Sequence, residues 1–477
     1  MPQGLQHTRE SDAVKAINAF MRRPVYVILM AALAAASGVF ALDLWVYSAF
    51  IVVAVYLCLF GDDLLPLMPI AIYCYITPSR DNNPGRNPNS IFYPAHGGWF
   101  LIVLAVIFVV CLVYRLATDK EIGRNAFFTE KRRLLGGMLI LGAAYMISGI
   151  GLENYGEVAG KNLLFAFIQF VSVFAFYYLF TGMVKWEKAP KNYLAWIGMC
   201  MGFIVLAQLA ENYACGRLFE TVNGSLTINR YNMATGWGMH NNIGGMMAMA
   251  IPFCFYLACK EKRGWIYNLL AIVLMVGVVA SFSRSSMLMG GLAFAVCAVI
   301  LLVRYDKGRK NLLIYGVAAV FAVGLVVIFW DKIMGLAAKF IENDLFQSSD
   351  RDTLIGRGWK EFLAHPVFGC SFFPRVHVWD WAELEAFSSF FPPRWHNTVI
   401  QLLASGGVVG LVAYGFHRFQ TVKLLVTKRS SEKAFIGIYL AVLLGASLLD
   451  CHFFNVGPVL FYSMALAFAE KIERSKV

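Results

Sequence analysis

The chain has 477 residues, of which 59% are hydrophobic, 15% aromatic and only 15% charged, with the charge held in short clusters between long apolar runs. A soluble fold could not keep that surface in water, so the composition specifies a polytopic membrane protein. The formal net charge of +12 does not point to nucleic acid, because the basic residues gather at the ends of apolar segments, where they orient helices in a bilayer.

The polar stretch 1–24 reads as a cytoplasmic N-terminal segment without a cleavable signal, followed by an apolar anchor. About 20 apolar residues cross a bilayer. On that measure spans are expected at 25–42, 44–60, 64–78, 98–116, 134–151, 163–183, 193–212, 242–259, 264–280, 286–303, 312–330, 396–417, 434–450 and 455–470. The expected fold is all-α, a polytopic helical bundle of about 12–14 transmembrane helices; the count turns on the short, Pro66- and Pro69-bearing run 64–78 and on the break at Asp450-Cys451-His452. Five further segments follow the N-terminal one: helices over 25–233, helices with a Ser-Arg motif over 234–330, a long loop over 331–395, helices over 396–470 and a cytoplasmic tail over 471–477. Lys and Arg alternate accordingly: Arg22-Arg23, Lys131-Arg132-Arg133, Lys185 to Lys191, Lys260 to Arg263, Arg304 to Lys310, Lys423 to Lys433 and Lys471 to Lys476 fall on one side, the cytoplasm. The ten cysteines carry no CxxC pair, and Cys58, Cys111 and Cys297 lie inside apolar runs, so neither a disulfide framework nor a metal cluster is implied.

The loop 331–395 faces out and is far longer than the others, the mark of a functional connection. It is rich in Trp, Phe and Leu and has a helical pattern: over 354–363, Ile355, Trp359, Phe362 and Leu363 share a face, and Arg357 points nearly opposite, toward solvent or a ligand. Arg351, His365, Arg375, His377, Arg394 and His396 lie in or beside this loop, and other outward loops add Arg217, Arg230, His240 and Arg284. Membrane orientation does not call for arginine there.

Arg284, in Ser281 to Ser286 (SFSRSS), opens a helix between serine hydroxyls. A helix N-terminus beside a forked guanidinium suits phosphate; the other reading is a snorkelling arginine in an ordinary cap. His396 follows Pro392-Pro393, so a helix starts near it with its positive end toward the imidazole, favouring the neutral form that a general base needs. A structural histidine is the alternative. Asn397 can cap that helix or orient a substrate, and Ala404, Ser405, Gly406, Gly407 and Gly410 allow close helix packing. Asp350 and Asp352 flank Arg351 and read as loop ion-pair partners, not a Mg²⁺ site with Asp380, Glu383 and Glu385; no metal or other cofactor is expected. Asp450 and His452 read as partners in a polar turn or as an acceptor contact.

Three stretches in this order resemble the bacterial O-antigen ligase and polymerase family: the Ser-Arg at a helix start, GRGWKEFLAHPVFGCSF from Gly356 to Phe372, and HNTVIQLLASGGVVG from His396 to Gly410. HNNIGGMMAMAIPF, from His240 to Phe253, is similar to the family's Asn-containing span, with Asn242 as the match. Cys370 stands where the family pattern PxxGxG has its second glycine, which questions the tightness of that turn. The resemblance implies a GT-C-like glycosyltransferase on the outer face of the cytoplasmic membrane, with an undecaprenyl-pyrophosphate-linked glycan as donor and a sugar hydroxyl on a glycan, lipid or protein as acceptor. It implies that Arg284 and Arg357 neutralise the pyrophosphate while His396 activates the acceptor or orients the donor; Arg351, Asn242, Asn397, Arg394 and Arg230 are the further candidate substrate contacts. A flippase for lipid-linked glycans is the alternative. Few mid-membrane charges, no visible inverted repeat and polar chemistry on one face count against it.

Overall fold

The computed structural model describes residues 11–40, 42–76, 98–119, 131–222, 225–229, 233, 240–305, 308–328, 350–373 and 394–476. A short helix, α1 (Asp12–Met21), is started by Ser11, whose hydroxyl accepts the Val14 N–H. Each expected span then appears as a helix: α2 (Pro24–Phe40), α3 (Asp43–Phe60), α4 (Leu67–Ile76), α5 (Gly98–Thr118), α6 (Leu135–Met146), α7 (Tyr155–Met183), α8 (Tyr193–Ala214), α9 (His240–Lys260), α10 (Gly264–Ala280), α11 (Arg284–Arg304) and α12 (Gly308–Ile328). The loop helix α13 (Asp350–Ala364) is followed by α14 (Thr398–Val426), α15 (Ser431–Leu449) and α16 (Val456–Lys471).

Six of these, α7, α8, α9, α11, α14 and α15, are each long and apolar enough to cross a membrane alone. α1 and α2 pass the same test together, bent by 71°, and shorter apolar helices complete the bundle. The chain is therefore an all-α polytopic membrane protein. Among the described residues the exception is an antiparallel hairpin, β1 (Phe219–Val222) with β2 (Ser225–Ile228), between α8 and α9.

Beyond its polar first turn, α9 is apolar all round and forms the axis of the bundle: 94% of its apolar stretch is buried, against 28% for α11. α8, α10, α11 and α15 surround it. Arg418, within α14, lies among aromatic faces, its guanidinium carbon 4.6 Å from the Tyr414 ring, 4.2 Å from Phe453 and 4.9 Å from Tyr462. Such ring quadrupoles stabilise a cation amid apolar helices.

α14 is not one straight helix. Gly407 has φ 62° and ψ −159°, which breaks it into two pieces. Segment 365–373 fills the break: Val408 N–H donates to Pro366 O at 2.8 Å, Val409 N–H to Val367 O at 3.2 Å, and Cys370 N–H to Ala404 O at 2.7 Å. Counted from Pro366, the second glycine of PxxGxG falls at Ser371 and not at Cys370 as expected, and the turn is tight all the same, since Gly369 (φ 69°) and Ser371 (φ 76°) both take left-handed backbone. The Gly-rich stretch of α14 thus serves a break and a backbone contact, beyond close helix packing.

Candidate active site

Four chain segments meet at one end of α9: its own first turn, the start of α11, residues 394–397 ahead of α14, and the turn 450–455 between α15 and α16. Two adjacent glycines make the meeting possible. A Cβ on Gly244 would sit 2.4 Å from Ser281 Oγ and 2.8 Å from Ser286 Cβ, and one on Gly245 would sit 3.1 Å from the His452 ring. α9 therefore admits the Ser-Arg turn on one side and His452 on the other.

At the start of α11, Ser283 is the N-cap and its hydroxyl accepts the Ser286 N–H at 3.4 Å. The Ser283 hydroxyl also lies 2.7 Å from that of Ser286. Arg284, the first helical residue, is exposed, so backbone N–H groups and a guanidinium share one helix end, an arrangement suited to an anion.

His396 lies before the helix rather than in it. Asn397 is the N-cap of α14, its Oδ1 accepting from Val399 N (2.8 Å) and Ile400 N (3.1 Å), while its Nδ2 donates to Leu448 O at 2.7 Å. His396 has φ 51°, a left-handed conformation that costs energy in a non-glycine residue and is found at functional sites. It sets Nδ1 3.3 Å from Asp450 Oδ1. Asp450 is buried. Burial pushes its carboxyl up, but the neighbouring His396 and His452 imidazoles and the Cys451 N–H together outweigh it and hold the group below the usual carboxylate range.

Asn241 closes the arrangement. Its Nδ2 lies 3.3 Å from Asp450 Oδ2, the Ser283 hydroxyl lies 3.1 Å from its Oδ1, and Ser286 Oγ donates to its backbone carbonyl at 3.3 Å. The imidazole–carboxylate pair is thereby connected to the cap preceding Arg284. A histidine oriented by a carboxylate can take a proton and have the resulting imidazolium stabilised.

The other expected site residues are placed as follows. Asn242 faces the neighbouring turn, its Oδ1 accepting from Asn455 Nδ2 at 3.1 Å. Arg394 is half-buried, next to the fully buried Trp395. Arg357 is exposed on α13, which packs on α14 through Leu354 and Gly358; a Cβ on Gly358 would meet Ile400 at 2.5 Å and Trp395 at 3.2 Å. The shared apolar face of α13 is not the packed one, since Trp359 is 46% and Leu363 62% exposed. Arg351 is in the first turn of α13, with its side chain outside the described residues, where Arg230, Arg375, His377, Asp380, Glu383 and Glu385 also lie, as do the side chains of Asp350 and Asp352.

Asn241 escaped the motif reading because an Asn-Asn pair offers two matches and sequence alone does not set the helix phase. Asp450 gave a usable signal, a carboxylate ending an apolar run, but read as part of a turn.

No curated protein matches the chain. Residues 269–415 match the family model for O-antigen ligase, a stretch containing Arg284, Arg357 and His396. That match, in a multi-pass membrane protein, supports a likeness to the O-antigen ligase and polymerase family over about a third of the chain.

Proposed function

We propose that the protein is a membrane glycosyltransferase. It moves a glycan from undecaprenyl pyrophosphate to an acceptor sugar hydroxyl on the outer face of the cytoplasmic membrane, in the synthesis of O-antigen, capsule or another surface polysaccharide. The observation that carries this reading is the His396–Asp450 pair (3.3 Å) connected through Asn241 to the cap ahead of Arg284.

In the reaction the acceptor oxygen bonds to the anomeric carbon as the bond from that carbon to the phosphate oxygen breaks. The acceptor's proton passes to His396, and the electron pair leaves with the pyrophosphate. Because negative charge grows on the leaving group, Arg284 and Arg357 stabilise the transition state more than the ground state. Attack opposite the leaving group inverts the anomeric centre. Arginines supply the neutralisation that a metal would otherwise give, so the reaction is metal-independent.

The test follows undecaprenyl pyrophosphate released from a lipid-linked oligosaccharide by protein in nanodiscs, with candidate acceptors, for wild type, Arg284→Ala, Arg357→Ala and His396→Ala, each with and without EDTA. Release that survives EDTA and collapses in the three variants supports the reading, and product size separates ligase from polymerase. Variants that release carrier as fast as wild type would overturn the site.

A further inference from the structure

Asn241 is the side chain that joins the two halves of the proposed site, and the orientation of its amide follows from its partners. The Asp450 carboxylate only accepts hydrogen bonds, so the amide nitrogen must face Asp450 Oδ2, at 3.3 Å. The amide oxygen must then face Ser283, whose hydroxyl donates to it at 3.1 Å. Asp450 Oδ1, the other oxygen, takes the Cys451 N–H at 2.7 Å and lies 3.3 Å from His396 Nδ1. The amide is therefore fixed in one sense, donor toward Asp450 and acceptor toward Ser283, with the His396 imidazole beside the other Asp450 oxygen.

We propose that Asn241 is a positioning residue: it holds the Asp450–His396 pair in fixed register with the end of α11 that carries Arg284, so that proton acceptance and leaving-group neutralisation are aligned on one substrate. The proposal rests on the transferase reading above. Asn241 lies in the first turn of α9, the most buried of the six helices long enough to cross a membrane alone, which gives the link a rigid base. Asn242 shares that turn but bonds Asn455 instead.

The discriminating variant is Asn241→Asp, nearly isosteric, which places a second carboxylate against Asp450. The titratable and charged groups around the pair are His396 and Arg394 ahead of α14, Cys451 and His452 after Asp450, and His240 beside Asn241. An added negative charge favours the imidazolium, so the acid limb of the kcat/KM profile for carrier release is expected to move to higher pH by about one unit. Asn241→Leu is expected to lower kcat about 10–100-fold with the donor KM kept within about twofold, since misplacement on the ångström scale has that effect.

A double-mutant cycle does not depend on Asn241→Asp purifying. Once Asp450→Asn has removed what Asn241 positions, adding Asn241→Leu should lower kcat no further. An unshifted acid limb in folded Asn241→Asp, or losses that multiply in the double variant, would overturn the role of Asn241 while the His396→Ala defect stands. Loss of the His396→Ala defect itself would overturn the transferase reading instead.

Discussion

Gly407→Ala is expected to destabilise the protein far more than the same change one residue earlier. The backbone at Gly407 (φ 62°, ψ −159°) lies in a region essentially reserved for glycine, and holding another residue there costs about 1–3 kcal/mol. A Cβ at this position would sit 2.3 Å from Val367 O, 2.4 Å from Val367 C and 2.7 Å from Pro366 O. These are backbone atoms with no rotamer to escape into. Relief requires segment 365–373 to move off, which breaks the bonds from Val408 N–H to Pro366 O and from Val409 N–H to Val367 O, worth about 0.5–1.5 kcal/mol each. The sum is about 2–6 kcal/mol. At Gly406 a Cβ would meet nothing within 4 Å, and alanine is neutral or mildly stabilising in a helix. Thermal unfolding in detergent, followed by tryptophan fluorescence, should give Gly407→Ala a midpoint several degrees below both wild type and Gly406→Ala. Equal midpoints for the two alanine variants would refute the reasoning.

Asp450→Asn is expected to slow carrier release about 10²–10⁴-fold, the usual range for general acid–base assistance, as read in the release assay. Because the Asp450 carboxyl is held below its ordinary range in the folded protein, its contribution to stability is fully present above the unfolded value of about 4 and is lost as pH falls below it. Melting curves from neutral pH downward should therefore fall more steeply for wild type than for Asp450→Asn. Arg284→Lys keeps the charge but loses the fork, and should lower kcat more than it raises the donor KM, whereas a purely structural arginine would leave both unchanged. Asn397→Ala removes the cap of α14 and should cost about 0.5–2 kcal/mol in thermal unfolding.

The helical architecture was legible because apolar runs mark helices in a bilayer, and each expected span overlaps a helix, six of them long and apolar enough to cross a membrane alone. The hairpin 219–228 was not, for it is short and lies outside those runs. At the site, Arg284 was placed at a helix start by its flanking serines, and Ser283 does cap α11. His396 was placed near a helix start, with Asn397 as the cap. What sequence withheld was register. Asn241 and Asn242 are adjacent and identical, and only the packing of α9 decides which one turns to Asp450 and which to Asn455. The contact face of α13 was hidden for a related reason: hydrophobicity marks Trp359 and Leu363, whereas Gly358 provides the close approach to Ile400 and Trp395.

The stitched break in α14 also sets a limit on protein engineering. Backbone-to-backbone bonds join 366–370 to 404–409, so the loop segment and the half-helix below His396 behave as a single cassette. Exchanging the loop between related chains would tear that seam unless 398–410 travelled with it. A chimera cut on both sides of the cassette keeps the seam internal to one parent, and side-chain differences elsewhere matter less than where those two cuts fall.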